Sequence, residues 1–203
     1  MKVCVVGAGA IGGYVAVRLA NAGHDVSAIA RGPHLAAIRA HGLTLVEAEQ
    51  ELVATNLTAT DRIPDLGRQD VVLLALKAHQ IAAVVEDLPA IVGPETVLVT
   101  LQNGIPWWYF QKLGGPYADR VVETVDPGGV LFNAIDPNQV VGCIAYPAAT
   151  IAEPGVAAVI CVALTTVTPV AGLPPTVTVA PARNPVPVIV IAGRNAIKSV
   201  PPS

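Results

Sequence analysis

The sequence predicts an α/β domain, a doubly wound, Rossmann-like parallel sheet, followed by an irregular tail rich in proline and valine. Three observations carry this. Short uninterrupted apolar runs alternate with helical patterns over the first half of the 203 residues, a G-x-G-x-x-G turn closes the first run, and the acidic residues stop at Glu153. Strands that are apolar throughout are buried on both faces, as happens when helices cover both sides of a parallel sheet.

Residues 3–6 form a continuous apolar run ended by glycine, and residues 11–21 place Ile11, Val15 and Leu19 on one helical stripe. Strand, turn and helix follow in that order. Residues 25–30 read as a second strand, 33–40 as a helix, and 43–46 with 51–54 as a hairpin with one polar face. Residues 70–76 and 96–101 are further apolar strands, separated by a helix predicted over 79–91. The dinucleotide-type domain is expected to occupy residues 1–156.

From residue 157 to residue 203 the only charges are Arg183, Arg194 and Lys198, and the stretch holds eight of the eighteen prolines. Proline removes an amide donor and clashes with the preceding helical turn, so helices are excluded over most of it. Residues 176–180 and 188–191 could pair only as edge strands. The segment is expected to be a poorly ordered, low-charge tail rather than a second packed domain, and an aggregation hazard when exposed.

Apolar residues make up 53% and charged residues 13% of the chain, which excludes a disordered or collagen-like protein. Net charge is −3 with no run of Lys or Arg, so nucleic acid is not an expected partner. No uninterrupted apolar stretch reaches membrane-spanning length, and the start lacks the apolar core of a signal peptide; no membrane contact and a cytoplasmic location are expected. Cys4, Cys143 and Cys161 are widely spaced without metal-ligand partners, and are expected to be small buried hydrophobes. No metal site is expected.

The turn Gly7-Ala8-Gly9-Ala10-Ile11-Gly12 lies between a strand and a helix, the setting in which this pattern binds a dinucleotide. The first glycine permits the turn, the second admits a pyrophosphate to the backbone, and Gly12 lets helix and sheet approach. At the end of the second strand, where an acid would accept from the ribose 2′-hydroxyl of NAD, stands Arg31; its guanidinium suits a 2′-phosphate, so the expected cofactor is NADP(H). Lys77 and Asn103 end neighbouring strands and are expected at the carboxyl-end crevice, with Gln80 one helical turn from Lys77. His79 is assigned to solvent or packing. The block Trp107-Trp108-Tyr109-Phe110 holds four of the eight aromatics; adjacent helical positions face different ways, so one or two should enter the core.

Taken with Leu76-Lys77-Ala78-His79-Gln80, Leu101-Gln102-Asn103-Gly104-Ile105-Pro106, Ala30-Arg31-Gly32 followed by His34-Leu35, and Val141-Gly142-Cys143-Ile144-Ala145-Tyr146-Pro147-Ala148-Ala149, the glycine turn resembles the ketopantoate reductase (2-dehydropantoate 2-reductase) family over about residues 1–156. The resemblance implies reduction of 2-dehydropantoate to pantoate with NADPH, on the way to pantothenate and coenzyme A. It implies that the glycine turn and Arg31 bind cofactor phosphates, that Lys77 and Asn103 hold the nicotinamide end with help from Gln80, and that Ala149 lines the cofactor cleft. Family members carry a second, helical domain with a general-acid lysine, substrate-binding groups and a glutamate near the cofactor, and nothing after residue 156 resembles it. The chain is therefore expected to be a truncated form, weak or inactive alone, with no catalytic residue of its own; a reading-frame change would suit the abrupt shift in composition. The alternatives are a non-catalytic NADP-binding module or remnant, and a related 2-oxo-acid or hydroxy-acid dehydrogenase. An apolar face left open beside the cleft predicts self-association into a homo-oligomer.

Overall fold

Alternation along the first strand decides how the molecule is layered. In β1 (Lys2–Val6), Val3 and Val5 enter one core cluster while Cys4 and Val6 enter a second, so both faces of the strand are buried. The first cluster is completed by Ala16, Val17 and Ala20 of α1 (Ala10–Asn21), the second by Ile81, Ile91 and Trp107. This is the two-faced burial that apolar strands of a parallel sheet require.

The computed structural model describes residues 1–47 and 50–161. After α1 come β2 (Asp25–Ile29), α2 (Gly32–His41), the antiparallel pair β3 (Leu43–Glu47) and β4 (Gln50–Ala54), β5 (Thr58–Thr60) and β6 (Val71–Leu74). Then follow α3 (Ala78–Ile81), β7 (Val97–Leu101), α4 (Val130–Ala134), β8 (Val140–Cys143), β9 (Ala148–Glu153) and β10 (Val156–Cys161). Six strands pair in parallel in the order β5-β2-β1-β6-β7-β8, so the winding reverses between β1 and β6. That reversal opens a crevice beyond the carboxyl ends of the strands.

A second sheet, in the order β4-β3-β10-β9, packs with the six-stranded sheet against α1. Small residues make this close approach feasible: a Cβ on Gly13 would stand 3.1 Å from the Cβ of Ala157, which is fully buried in β10. β10 runs parallel to β3 and antiparallel to β9. The sheet thus crosses the boundary expected at residue 156, because Ala157 fills a core position even though the charge pattern changes there. The remainder of the expected tail, from residue 162, lies outside the described residues.

The helix expected over 79–91 is replaced by α3 and two 3-10 turns, Ala82–Val84 and Leu88–Ala90. Pro89 has no amide to donate, and the backbone instead closes short three-residue bonds, Asp87 N to Val84 O at 3.1 Å and Ile91 N to Leu88 O at 3.0 Å. Residues 107–110 lie in successive turns rather than in the helix the sequence reading assumed, and the aromatic block still divides between core and surface. Trp107 is buried in the second core, Trp108 lies against Gly142, and Tyr109 is exposed with its ring edge-on to Phe110. Cys4 and Cys143 are buried free thiols, as expected. Among the described residues, no helix is long and apolar enough to cross a membrane.

Candidate functional site: a cleft at the sheet reversal

A cleft of about 480 Å³ opens where β1, β6 and β7 end, lined by the glycine turn, residues 75–78, Gln80 and residues 101–103. Its floor is set by glycines for separate reasons. Gly7 has φ +98°, and a Cβ there would fall 2.7 Å from Leu76 Cδ2, so the turn out of β1 admits no side chain. Gly12 is pressed against the Gly7 carbonyl oxygen and, at 3.0 Å from a would-be Cβ, the Ala75 methyl. Gly9 differs from both: among the described residues, and apart from its immediate chain neighbours and helix backbone, no heavy atom lies within 4 Å of where its Cβ would stand. The space in front of Gly9 is open to a ligand.

Gly9 is also the N-cap of α1, whose first turn carries no acidic side chain. The first amides of a helix have no intrahelical acceptor, and here those of Ala10 and Ile11 belong to cleft-lining residues. Amides so placed, at the positive end of a helix dipole, are donors from which an anionic ligand in the cleft could accept. The Ala8 amide is not one of them, because it donates to Ile29 O at 2.8 Å. Ala8 itself is buried, and the residue acts as a tie between β1 and β2.

Lys77 follows β6 at the opposite wall, exposed, and is the one charged side chain among the described residues that line the cleft. Its own backbone amide donates to Gln80 Oε1 at 3.1 Å, so Gln80 caps the start of α3 and holds the Lys77 backbone in place. Asn103 also lines the cleft, but its amide is occupied by the backbone of Ala145: Nδ2 donates to Ala145 O at 3.1 Å and Oδ1 accepts from Ala145 N at 3.2 Å. It therefore braces the chain after β8 against the end of β7. One N–H and one lone pair of the amide remain for a ligand.

Gln102 was not singled out by the sequence pattern, yet it ties the two walls together. Its Nε2 donates to Leu74 O at 2.6 Å and Leu76 O at 3.1 Å, while Oε1 is buried without a partner among the described residues. The available signal was its position immediately before Asn103 at a strand end. Arg31 follows the end of β2 as the exposed N-cap of α2 and is not among the described residues that line the cleft. It has no ion-pair partner among the described residues. Ala149 sits in β9 opposite Val159, in the four-stranded sheet, and does not line the cleft.

The family described as Ketopantoate reductase PanE/ApbA matches residues 3–107, which carry the glycine turn, Arg31, Lys77 and Asn103. The chain belongs to this family. A 2-dehydropantoate 2-reductase of Mesorhizobium japonicum is 46% identical over 156 residues, covering 76% of this chain and 48% of the relative. One from Pyrococcus abyssi is 38% identical over 105 residues, covering 52% of this chain and 34% of the relative. Among solved structures, a Ralstonia solanacearum protein assigned as a ketopantoate reductase superposes with a TM-score of 0.73 at 36% identity, over 79% of this chain and 49% of that one. The 2-dehydropantoate 2-reductase of Porphyromonas gingivalis gives 0.63 at 26% identity, over 78% and 51%. The chain spans about half the length of the Mesorhizobium relative and of both solved structures.

Proposed function

We propose that residues 1–161 are the cofactor-holding half of an NADP(H)-dependent reductase acting on 2-dehydropantoate. The observation that carries this reading is the open space at Gly9, set against the first amides of α1 and faced by Lys77 and Asn103 across one cleft. The donor set fits the group: backbone amides for a pyrophosphate, a free guanidinium at the end of β2 for a 2′-phosphate, and amide and ammonium donors at the far strand ends. When bound, the reduced nicotinamide supplies a hydride to a ketone carbon.

The work of the chain's own residues is binding and orientation. Gly9 and the start of α1 receive the phosphates, and Arg31 selects for the additional phosphate by a charge-assisted, two-pronged contact that an acid at this place would repel. Lys77, fixed through Gln80, places a positive charge at the wall of the cleft, where a ribose hydroxyl or a substrate oxygen would accept from it. The alkoxide formed by hydride transfer needs a proton, and absence of a positioned donor lowers such a rate by about 10² to 10⁴. In this reading the proton donor and the substrate-holding groups lie outside residues 1–161, so those residues alone would turn over weakly or not at all. Ile105, Ile144 and Tyr146, exposed on either side of the Asn103–Ala145 brace, supply the apolar surface for self-association.

A fluorescence titration of the full chain with NADPH and NADH, followed by addition of 2-dehydropantoate, tests the reading. NADPH should bind at least tenfold more tightly than NADH, and Arg31→Ala should remove that preference, since one lost charge-assisted pair corresponds to about 1.5–3 kcal/mol. Equal affinity for the two cofactors, or a preference untouched by Arg31→Ala, overturns the role of Arg31. Binding without oxidation on addition of the keto acid marks a cofactor-binding module; rapid oxidation shows that the proton donor is within this chain.

A further inference from the structure

His34 joins three segments that are remote in sequence. Its Nδ1 accepts from the amide of Gly155 at 2.9 Å, in the turn between β9 and β10. Its Nε2 lies 2.7 Å from the carbonyl oxygen of Ala8, inside the glycine turn. The first contact settles the second. A ring nitrogen that accepts a hydrogen bond carries no proton, so in the neutral ring the proton is on Nε2, which donates to Ala8 O. The ring is half-buried in the first turn of α2, and its partners are both backbone groups.

We propose that His34 is a positioning residue for the anion receptor, aiming the Gly9 amide into the cleft. The argument is one of peptide geometry. In a planar trans peptide the C=O and the following N–H point in opposite directions. The imidazole holds the Ala8 oxygen on one side of the turn, so the Gly9 N–H of the same peptide is directed to the other. That peptide leads into Gly9, in front of which the structure leaves open space. The preceding peptide is locked too, through the bond from Ala8 N to Ile29 O at 2.8 Å. A glycine-rich turn would otherwise sample several orientations of the peptide between Ala8 and Gly9. The bond at Nδ1 keeps the ring from flipping, which makes the hairpin of the four-stranded sheet a support for the cleft of the other sheet. Pre-orienting a donor in this way lowers the ordering cost of binding.

This role rests on the dinucleotide reading above, and the test separates the two. Two substitutions divide the ring's functions. His34→Asn keeps an acceptor near the Nδ1 position for Gly155 but is too short to reach Ala8 O; His34→Gln offers both an acceptor and a donor of longer reach. NADPH, and 2′-AMP, which carries the 2′-phosphate but no pyrophosphate, are titrated into wild type and both variants, with unfolding midpoints measured alongside. The expected result is about a five- to tenfold loss of NADPH affinity in His34→Asn, the size of one lost net hydrogen bond. Affinity for 2′-AMP should be unchanged, and His34→Gln should restore most of the NADPH affinity. Equal NADPH affinity in His34→Asn and wild type, or a parallel loss of both ligands, overturns the positioning role and leaves the dinucleotide reading standing. Wild-type protein that binds neither ligand overturns both. Should His34→Asn fail to fold, ¹⁵N spectra of the wild-type imidazole decide: a proton on Nε2 is expected, and a proton on Nδ1 refutes the proposal.

Discussion

Gly9 and Gly12 belong to one motif, three residues apart, and the structure assigns them opposite sensitivities to the same substitution. Gly12→Ala introduces a methyl where the Gly7 carbonyl oxygen and the Ala75 methyl already stand, the latter at 3.0 Å. Overpacking of this kind costs about 1–3 kcal/mol, and contact with backbone rather than a flexible side chain favours the upper end. The gain in helix propensity from Gly to Ala returns at most about 1 kcal/mol. A net loss of roughly 2 kcal/mol is expected, which in a chain of this size lowers the melting temperature by about 4–8 °C. Gly9→Ala meets nothing within 4 Å, and its φ of −73° is open to alanine. Loss of a preferred N-cap residue and reduced freedom of the unfolded chain are of similar size and opposite sign, so stability should change by no more than about 0.5 kcal/mol. The new methyl nevertheless stands where a pyrophosphate would approach, and NADPH affinity should fall at least tenfold. Thermal unfolding and NADPH titration on the two variants read both effects. Gly9→Ala protein that binds NADPH as wild type does would refute the placement of the phosphates, and a Gly12→Ala protein as stable as wild type would refute the packing of α1 on the turn.

Two further outcomes follow from buried polar groups. Burial pushes the Cys4 thiol up from its ordinary value of 9.0 to about 12. The folded chain keeps this proton while the unfolded chain releases it, so the stabilisation is complete below pH 9.0 and is lost as pH rises toward about 12, at up to roughly 1.4 kcal/mol per pH unit. Urea unfolding across that range should show the decline, Cys4→Ala should flatten it, and alkylation mapped by mass spectrometry at pH 8 should leave Cys4 unmodified in the folded protein. Asp126, buried, accepts from Leu131 N at 2.9 Å and Phe132 N at 2.8 Å and so fastens the start of α4. Asp126→Ala should cost about 1–3 kcal/mol in chemical denaturation, since it leaves two amides without their acceptor; a change under about 0.5 kcal/mol would show that α4 is held by packing alone.

The parallel sheet was legible because its signal is local. An apolar run of four or five residues ended by glycine reads the same in sequence and in β1, and the 3.6-residue stripe of Ile11, Val15 and Leu19 marks α1 before anything is known of its neighbours. The helix expected over 79–91 was lost to Pro89 and to the short-range bonds around it. β10 was hidden because Ala157 and its neighbours have no polar alternation, and only pairing with β3 and β9 makes them a strand.

The cleft shows the same division. The strands that end at the cleft and the glycine turn between β1 and α1 were legible from periodicity, and the expectation that Gly7, Gly9, Lys77, Gln80 and Asn103 meet at the carboxyl ends of a parallel sheet agrees with their shared cleft, whereas the strand order itself is set by pairing. What those side chains do once there depends on partners far along the chain. Asn103 spends most of its amide on Ala145, and Gln102 ties Leu74 and Leu76. His34 reaches Ala8 on one side and Gly155 on the other. A hydrogen bond between residues 121 positions apart leaves no periodic trace, because it is decided by where two separately specified elements meet. Local propensity and glycine are enough to specify the strand–turn–helix around Gly7, Gly9 and Gly12, so that unit was readable before any tertiary contact was known. Which residues brace that turn and the cleft walls became visible in the folded chain, because the bonds of His34, Gln102 and Asn103 join elements whose sequences carry no record of one another.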